Sequence, residues 1–235
     1  MNPVMTYRRT RRRTNQLILL ILLLLAMISA AIIFLTFYGL NTGNFIIGIE
    51  QDAYNKNISI AETPDATDNQ KTLFIQTMPI YPFDFAIIHA NLDQFTEVDG
   101  VVEEFKRNSV AVTFYIKNEL SNLSYDLNYY INLKEVRHDS NELQNVKILM
   151  VVDGEKRLYH QEEHNLVNYG SDYIVTNFRE GSRIVTGKIN ELEAGGVKKI
   201  TIILWYEGRQ IDEEDVLEAL KLQVVFEIDE PGEGV

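Results

Sequence analysis

The residues best suited to chemistry are His160, Glu163 and His164. They match the pattern H-x-x-E-H, in which two histidines bind Zn²⁺ beside a catalytic glutamate. This chemistry needs a helix, because only there do residues four apart share a face and reach one ion. Here the motif follows a predicted hairpin strand, Glu155–Tyr159, and precedes a loop-like segment. We therefore expect a solvated loop, with adventitious metal binding or a zinc-dependent peptidase as lesser alternatives.

The other candidate groups form no recognisable catalytic motif. His89 and His138 are isolated in the sequence, and no histidine pairs with a serine in a nucleophile motif. The acidic run Asp212–Asp215 lacks the spacing and central glycine of an EF-hand, so it is interpreted as a solvated helix start. The chain has no cysteine, which excludes disulfides and thiol chemistry. We predict no catalytic residues, no metal site, no cofactor and no enzymatic activity.

The element that positions the rest of the chain lies at its N-terminus. The uncharged segment Leu17–Leu40 would be roughly 36 Å long as a helix, enough to cross a bilayer core of about 30 Å. Basic residues precede it, and the first one after it is Lys56. A cleaved signal peptide is the alternative, but its apolar stretch would be shorter. We predict a retained transmembrane helix, and its topology is set by Arg8, Arg9, Arg11, Arg12 and Arg13.

The charge is divided unevenly along the chain. The sequence has 22 basic and 34 acidic residues, and its first 40 residues contain five arginines and no acid. Residues 41–235 therefore carry 17 basic and 34 acidic side chains, a net charge of −17. Such a domain repels nucleic acid and anionic headgroups. The short connection Asn41–Gly43 is expected to hold it near the bilayer.

Alternation of apolar and polar residues predicts about ten strands, each with one buried and one wetter face. Asp153-Gly154 marks a hairpin turn, and one short helix is expected at Glu213–Leu220. The fold class is all-β, an antiparallel β-sandwich preceded by one transmembrane helix. Its only tryptophan, Trp205, is assigned to the core. The expected strands are Phe45–Glu50, Ile58–Glu62, Thr72–Thr77, Phe83–His89, Val110–Lys117, Tyr125–Leu133, Val146–Val152, Glu155–Tyr159, Tyr173–Asn177, Arg183–Lys188, Lys199–Tyr206 and Leu222–Ile228.

These patterns divide the chain into four parts. Residues 1–16 are a basic cytoplasmic N-terminus, and residues 17–40 are the membrane helix. Residues 41–229 form one extracytoplasmic β-sandwich domain. Residues 230–235 are a polar tail.

Four segments carry a family resemblance: NTGNFIIGIE at 41–50, ISIAETPDA at 58–66, VAVTFYIKNEL at 110–120 and KITIILWYEGRQIDEED at 199–215. Their order resembles uncharacterised Gram-positive membrane-anchored proteins distantly similar to the camelysin and TasA-like exported β-sandwich family. The resemblance implies a jelly-roll-like or immunoglobulin-like sandwich without an established activity. The chain departs from the group at Arg209–Asp212, where an Asp-Pro-acid-Cys stretch is common.

Together these features predict a single-pass membrane protein with a cytoplasmic N-terminus and an extracellular C-terminal domain. Its expected role is structural, adhesive or envelope-binding. Its partners would be the lipid bilayer and another surface protein or envelope component, and not nucleic acid. One alternative is a TasA-like fibre or assembly subunit pairing through Phe45–Glu50. Another is a camelysin-like zinc-dependent peptidase using His160, Glu163 and His164.

Overall fold

The structure is a computed structural model, which describes residues 18–33, 43–67, 69–120, 122–137, 143, 145–161, 169–208, 217 and 219–229. The chain divides into two compact units, Met1–Asn41 and Thr42–Val235. In the first unit, residues 18–33 form helix α1 with exposed side chains. No helix in the described ranges is both long and apolar enough to cross a membrane. The arginine cluster, Leu17 and residues 34–40 of the predicted span lie outside the described residues.

The second unit is built mostly of strands, which confirms the prediction of a β-rich fold. One sheet contains five strands: β1 Gly43–Ile49, β3 Thr72–Thr77, β6 Tyr125–Arg137, β10 Arg183–Leu192 and β12 Ala219–Ile228. The other contains seven strands: β2 Ile58–Ala61, β4 Gly100–Val101, β5 Ser109–Asn118, β7 Val146–Val152, β8 Glu155–His160, β9 Tyr173–Asn177 and β11 Val197–Tyr206. The described residues of this unit also form three short helices: α2 Gln51–Asn55, α3 Phe85–Ala90 and α4 Leu92–Thr96.

Both sheets are mixed, so the prediction of purely antiparallel sheets is wrong. The five-stranded sheet has the order β10-β6-β12-β1-β3, and its first and last strands along the chain, β1 and β12, run parallel. The seven-stranded sheet has the order β2-β5-β11-β7-β8-β9, with β4 beside β5, and β9 runs parallel to β8. Alternation in the sequence sets which face a residue occupies but not which distant strand becomes its neighbour.

The first hydrophobic core lies between the two sheets. The rings of Phe114 on β5 and Phe226 on β12 meet edge to face, with centroids 5.9 Å apart. The hydroxyls of Tyr129 on β6 and Tyr159 on β8 lie 2.5 Å apart in this core. Burial raises the pKa of Tyr159, so this buried hydroxyl stays protonated. The two sheets therefore pack face to face and share one interior.

A second core covers the outer face of the seven-stranded sheet. Helices α3 and α4 pack there, and Ile88 and Phe95 are fully buried against the strands. Every residue of β7 is consequently buried, whereas the sequence predicted a wetter face at alternate positions. Trp205 is 0% exposed, as predicted, but it lies under this helical layer and not between the sheets.

Two further predictions are corrected by the backbone. Phe83–His89 was predicted as a strand, but α3 begins at Phe85 because the Asp84 side chain accepts a hydrogen bond from Ala86 N at 2.7 Å and caps the helix. The predicted helix Glu213–Leu220 lies mostly outside the described residues. Its described end is extended, since Leu217 bridges to Ile80 and β12 starts at Ala219.

Candidate binding cleft

The H-x-x-E-H motif was expected in a solvated loop, but its first residue, His160, is buried at the end of a strand. His160 is the last residue of β8 and pairs with Lys147 of β7. Its ring packs against Tyr169 with centroids 5.5 Å apart, and its Nδ1 lies 2.6 Å from the Gln161 carbonyl oxygen. Glu163 and His164 lie outside the described residues, as does His138. Among the residues that are described, no three His, Asp or Glu side chains converge closely enough to hold a metal ion.

A cleft of about 420 Å³ opens on the outer side of the seven-stranded sheet, between α4 and the β7–β8 turn. We call it the α4 cleft. Leu92 of α4 and Val151 of β7 give it an apolar surface, and three acidic and two basic side chains also line it. The lining residues are Leu92, Asp93, Thr96, Glu97, Val151, Asp153, Gly154, Lys156, Lys199 and Thr201.

Buried hydroxyls hold α4 at one wall of the cleft. The Thr113 and Thr201 hydroxyl oxygens lie 2.7 Å apart across β5 and β11. The Thr113 hydroxyl also donates to the Phe95 carbonyl at 3.2 Å, inside α4. Leu92 and Phe95 are buried in the second core, whereas Asp93 and Glu97 are exposed and line the cleft. These contacts therefore hold α4 against the sheet.

The turn between β7 and β8 forms the opposite wall. Asp153 and Gly154 both have positive φ, at 47° and 90°, which fits the tight hairpin turn expected from Asp-Gly. The Asp153 carboxylate accepts a hydrogen bond from Lys199 N at 3.1 Å. It also pairs with Lys198 Nζ at 3.1 Å. This carboxylate is therefore neutralised by a lysine that does not line the cleft.

Two lysines in the cleft are placed over tyrosine rings. Lys156 Nζ lies 5.4 Å from the centroid of Tyr173, and Lys199 Nζ lies 5.9 Å from the centroid of Tyr115. Burial, and then a hydrogen bond to Asp99, raise the pKa of Tyr115 to about 12, so its ring stays neutral. Among the described residues, neither ammonium group forms an ion pair with a carboxylate. Both remain available to an anionic group of a ligand.

A second group of polar contacts lies along α3 and has a structural role. The Glu207 carboxylate accepts hydrogen bonds from Trp205 Nε1 at 2.7 Å and from Phe85 N at 3.1 Å. Burial raises the pKa of Glu207, although hydrogen bonds and the charge of Lys147 oppose this shift. His89 Nδ1 lies 2.7 Å from the Tyr173 hydroxyl. These contacts fasten α3 to the sheet.

Sequence reasoning missed the cleft because its residues come from three distant segments, 92–97, 151–156 and 199–201. The one local signal was the Asp153-Gly154 turn. In the sequence, Glu207 could be recognised only as part of the segment Trp205–Gly208. Trp205 and Glu207 are two residues apart there, so they are expected on the same face of a strand. No protein-family model matches this chain, and no curated protein matches it with significance.

Proposed function

We propose that this chain is a membrane-anchored, extracytoplasmic β-sandwich protein that binds a component of the cell envelope and has no catalytic role. The observation that carries this proposal is the α4 cleft. Its volume of about 420 Å³ is in the range of small-molecule and peptide sites. The apolar side chains of Leu92 and Val151 and the two lysines that line the cleft combine a surface for burial with charges for orientation. The apolar, arginine-flanked segment at the N-terminus supports the proposed anchor.

The charges of the cleft restrict its ligand. Lys156 and Lys199 offer two ammonium groups in a domain whose net charge is strongly negative. Asp93 and Glu97 face them from α4 and favour a cation or a hydrogen-bond donor. A ligand that carries both an anionic group and a donor or cationic group would satisfy both walls. Envelope peptides and amino-sugar polymers have this chemistry.

A non-catalytic role is supported by the structural contacts of Glu207, His89 and His160. Glu207 is tied to Trp205 and to the start of α3, and His89 is tied to Tyr173. His160 packs on Tyr169. These contacts stabilise the second core, and none of the three side chains lines the α4 cleft.

Binding is tested by co-sedimentation of the unit Thr42–Val235 with envelope fragments from the cells that make the protein. Both hydrophobic cores use only residues of this unit, so it can fold alone. The double substitution Lys156→Gln and Lys199→Gln should weaken binding roughly tenfold or more. The double substitution Lys106→Gln and Lys134→Gln is the matched control, because it removes the same charge from two exposed lysines that do not line the cleft. Equal binding by all three proteins would contradict the cleft as the site.

Location is tested separately on intact cells. Protease added outside should remove the C-terminal unit while a cytoplasmic control protein stays intact. Protection of both proteins would show that the proposed orientation is wrong. This result would leave the binding measurement unaffected, so the two parts of the proposal fail independently.

A further inference from the structure

Apart from the two-residue strand β4, the two sheets have four edge strands, which differ in how their free edges are protected. The open side of β2 is covered, because Ile60 N donates to Gln70 O at 2.8 Å. The edge strand β10 carries Arg183 and Lys188 and has register shifts along its pairing with β6. Charges and irregular register are ordinary defences against edge-to-edge pairing. The remaining edges, β9 and β3, have no charged residue.

Strand β3 is the more regular of these two edges. It has the sequence TLFIQT, six residues in unbroken antiparallel register with β1. Its residues alternate between exposed and buried, so one face extends the core of the sandwich. Strand β9 instead has exposed residues on both of its faces, Ile174 and Val175, so pairing there would not extend a buried face.

Alternate residues of β3 direct their backbone N–H and C=O groups toward the open edge of the sheet. Ile49 N donates to Lys71 O at 2.9 Å, so the odd-numbered residues of this strand direct their backbone groups toward β1. The N–H and C=O groups of Thr72, Phe74 and Gln76 consequently point away from the sheet. Within the described part of the chain, β3 pairs only with β1.

The side chains of β3 suit a partner of the same sequence. Phe74 is 64% exposed on the outer face. If two β3 strands pair antiparallel with Phe74 opposite Phe74, Leu73 faces Ile75 on the inner side, and Thr72 faces Gln76 on the outer side. No charge meets a like charge, although each domain is strongly acidic. A two-fold axis perpendicular to the sheet keeps the inner faces of both copies on the same side.

We propose that β3 is a dimerisation edge that pairs with β3 of a second copy, joining the two five-stranded sheets into one. The pairing forms about six backbone hydrogen bonds and places the two Phe74 side chains in contact. It rests on β3 alone and does not depend on the α4 cleft.

The test uses a cross-link at the two-fold axis. Directly opposite hydrogen-bonded residues have Cα atoms about 5.5 Å apart, which is within disulfide range. The chain contains no cysteine, so Phe74→Cys in the unit Thr42–Val235 can link only to a second copy at residue 74. Mild oxidation should yield mostly covalent dimer. Thr72→Cys is the matched control, because Thr72 faces Gln76 and its two copies are too far apart to link.

Equal cross-linking of Phe74→Cys and Thr72→Cys would overturn the proposal. A charge exchange identifies the partner independently: Phe74→Lys alone should be monomeric by sedimentation, as should Phe74→Glu alone. An equal mixture of the two variants should recover the dimer, because the opposite charges then lie face to face. A mixture that stays monomeric, or an unsubstituted protein that is monomeric over about two decades of concentration, would equally refute it.

Discussion

The two sheets differ in what covers their outer faces, although they share one core. The outer face of the seven-stranded sheet lies under α3 and α4, and β7 is buried along its whole length. The outer face of the five-stranded sheet carries exposed side chains such as Phe74, Thr72 and Gln76. The comparison shows that one sheet is an internal layer and the other is a surface. The α4 cleft belongs to the first and the β3 edge to the second.

The largest expected effect tests whether the helical layer is a structural part of the fold. Trp205→Ala removes the largest side chain of the second core and the donor to Glu207. We expect a loss of about 3–5 kcal/mol in the free energy of unfolding, similar to that of Phe226→Ala in the first core. Urea unfolding of Thr42–Val235 measures both. Circular dichroism should be the probe, because Trp205 is the only tryptophan.

If α3 and α4 were held only loosely on the sheet, the loss in unfolding free energy would be different. In that case Trp205→Ala would cost well under half as much as Phe226→Ala. The urea dependence of the unfolding free energy would also fall, because less surface would become exposed in the main transition.

The second prediction compares the stability effect of one added methyl group on the inner face of the five-stranded sheet with its effect on the outer face. A Cβ at Gly187 on β10 would overlap the ring of Tyr129, so Gly187→Ala should cost about 1–3 kcal/mol. A Cβ at Gly48 would meet only ordinary contacts, the nearest at 3.8 Å. Gly48→Ala is therefore the control and should leave stability unchanged or slightly raised. Equal effects in thermal unfolding would contradict this assignment of faces.

The third prediction concerns opposite pH dependences of the two sheets. Burial raises the pKa of Glu207, so the folded state binds its proton more tightly than the unfolded state. The free energy of unfolding should therefore fall as the pH rises above the ordinary glutamate value of 4.5. Glu207→Gln should flatten this decline in urea titrations at several pH values. An unchanged profile would exclude Glu207 as its cause.

Two carboxylates at the five-stranded sheet change the free energy of unfolding in the opposite direction as the pH rises. Hydrogen bonds from Lys188 lower the pKa of Asp126 and of Asp229. Lys188 Nζ lies 2.8 Å and 2.7 Å from these two carboxylates. Their contribution is present above the ordinary aspartate value of 3.8 and is lost as the pH falls through their folded-state pKa. Lys188→Met should remove this contribution, so the free energy of unfolding should fall at neutral pH and should decline less on acidification.

The smallest effect is expected on the open face. Phe74→Leu keeps an apolar residue at a position that is 64% exposed, and it should change the unfolding free energy by less than about 0.5 kcal/mol. The measurement belongs at low protein concentration, where the proposed dimer is dissociated. A larger loss would mean that Phe74 is packed within its own sheet.

Strand positions were predictable because they depend on local patterns. The predicted bounds of Thr72–Thr77, Val146–Val152 and Tyr173–Asn177 agree with the observed strands. Each run of β-forming residues is bounded by polar or turn residues, and these signals act over a few positions. The prediction at Phe83–His89 is wrong because the cap at Asp84 outweighed a short apolar run.

The coverage of a sheet face and the cleft were not predictable in this way. Leu149 and Val151 look like the second face of an ordinary half-exposed strand, but they are buried in the second core. Lys156 and Lys199 carry no motif, and they line one cleft only because β7 lies between β8 and β11 in the sheet. Parallel pairing of β1 with β12 likewise joins residues with no local relation in the sequence.

That parallel pair has a consequence for the order of folding. β1 is among the first residues of the domain to be synthesised, yet its neighbour β12 comes almost last. Until residues 219–228 emerge, β1 and β6 have no strand between them, and the five-stranded sheet cannot close. Folding dominated by such distant contacts is slow, and the incomplete chain exposes apolar strand edges that favour aggregation. Loss of β12 should therefore prevent folding of the whole domain, whereas loss of an edge strand should leave the rest of the domain folded.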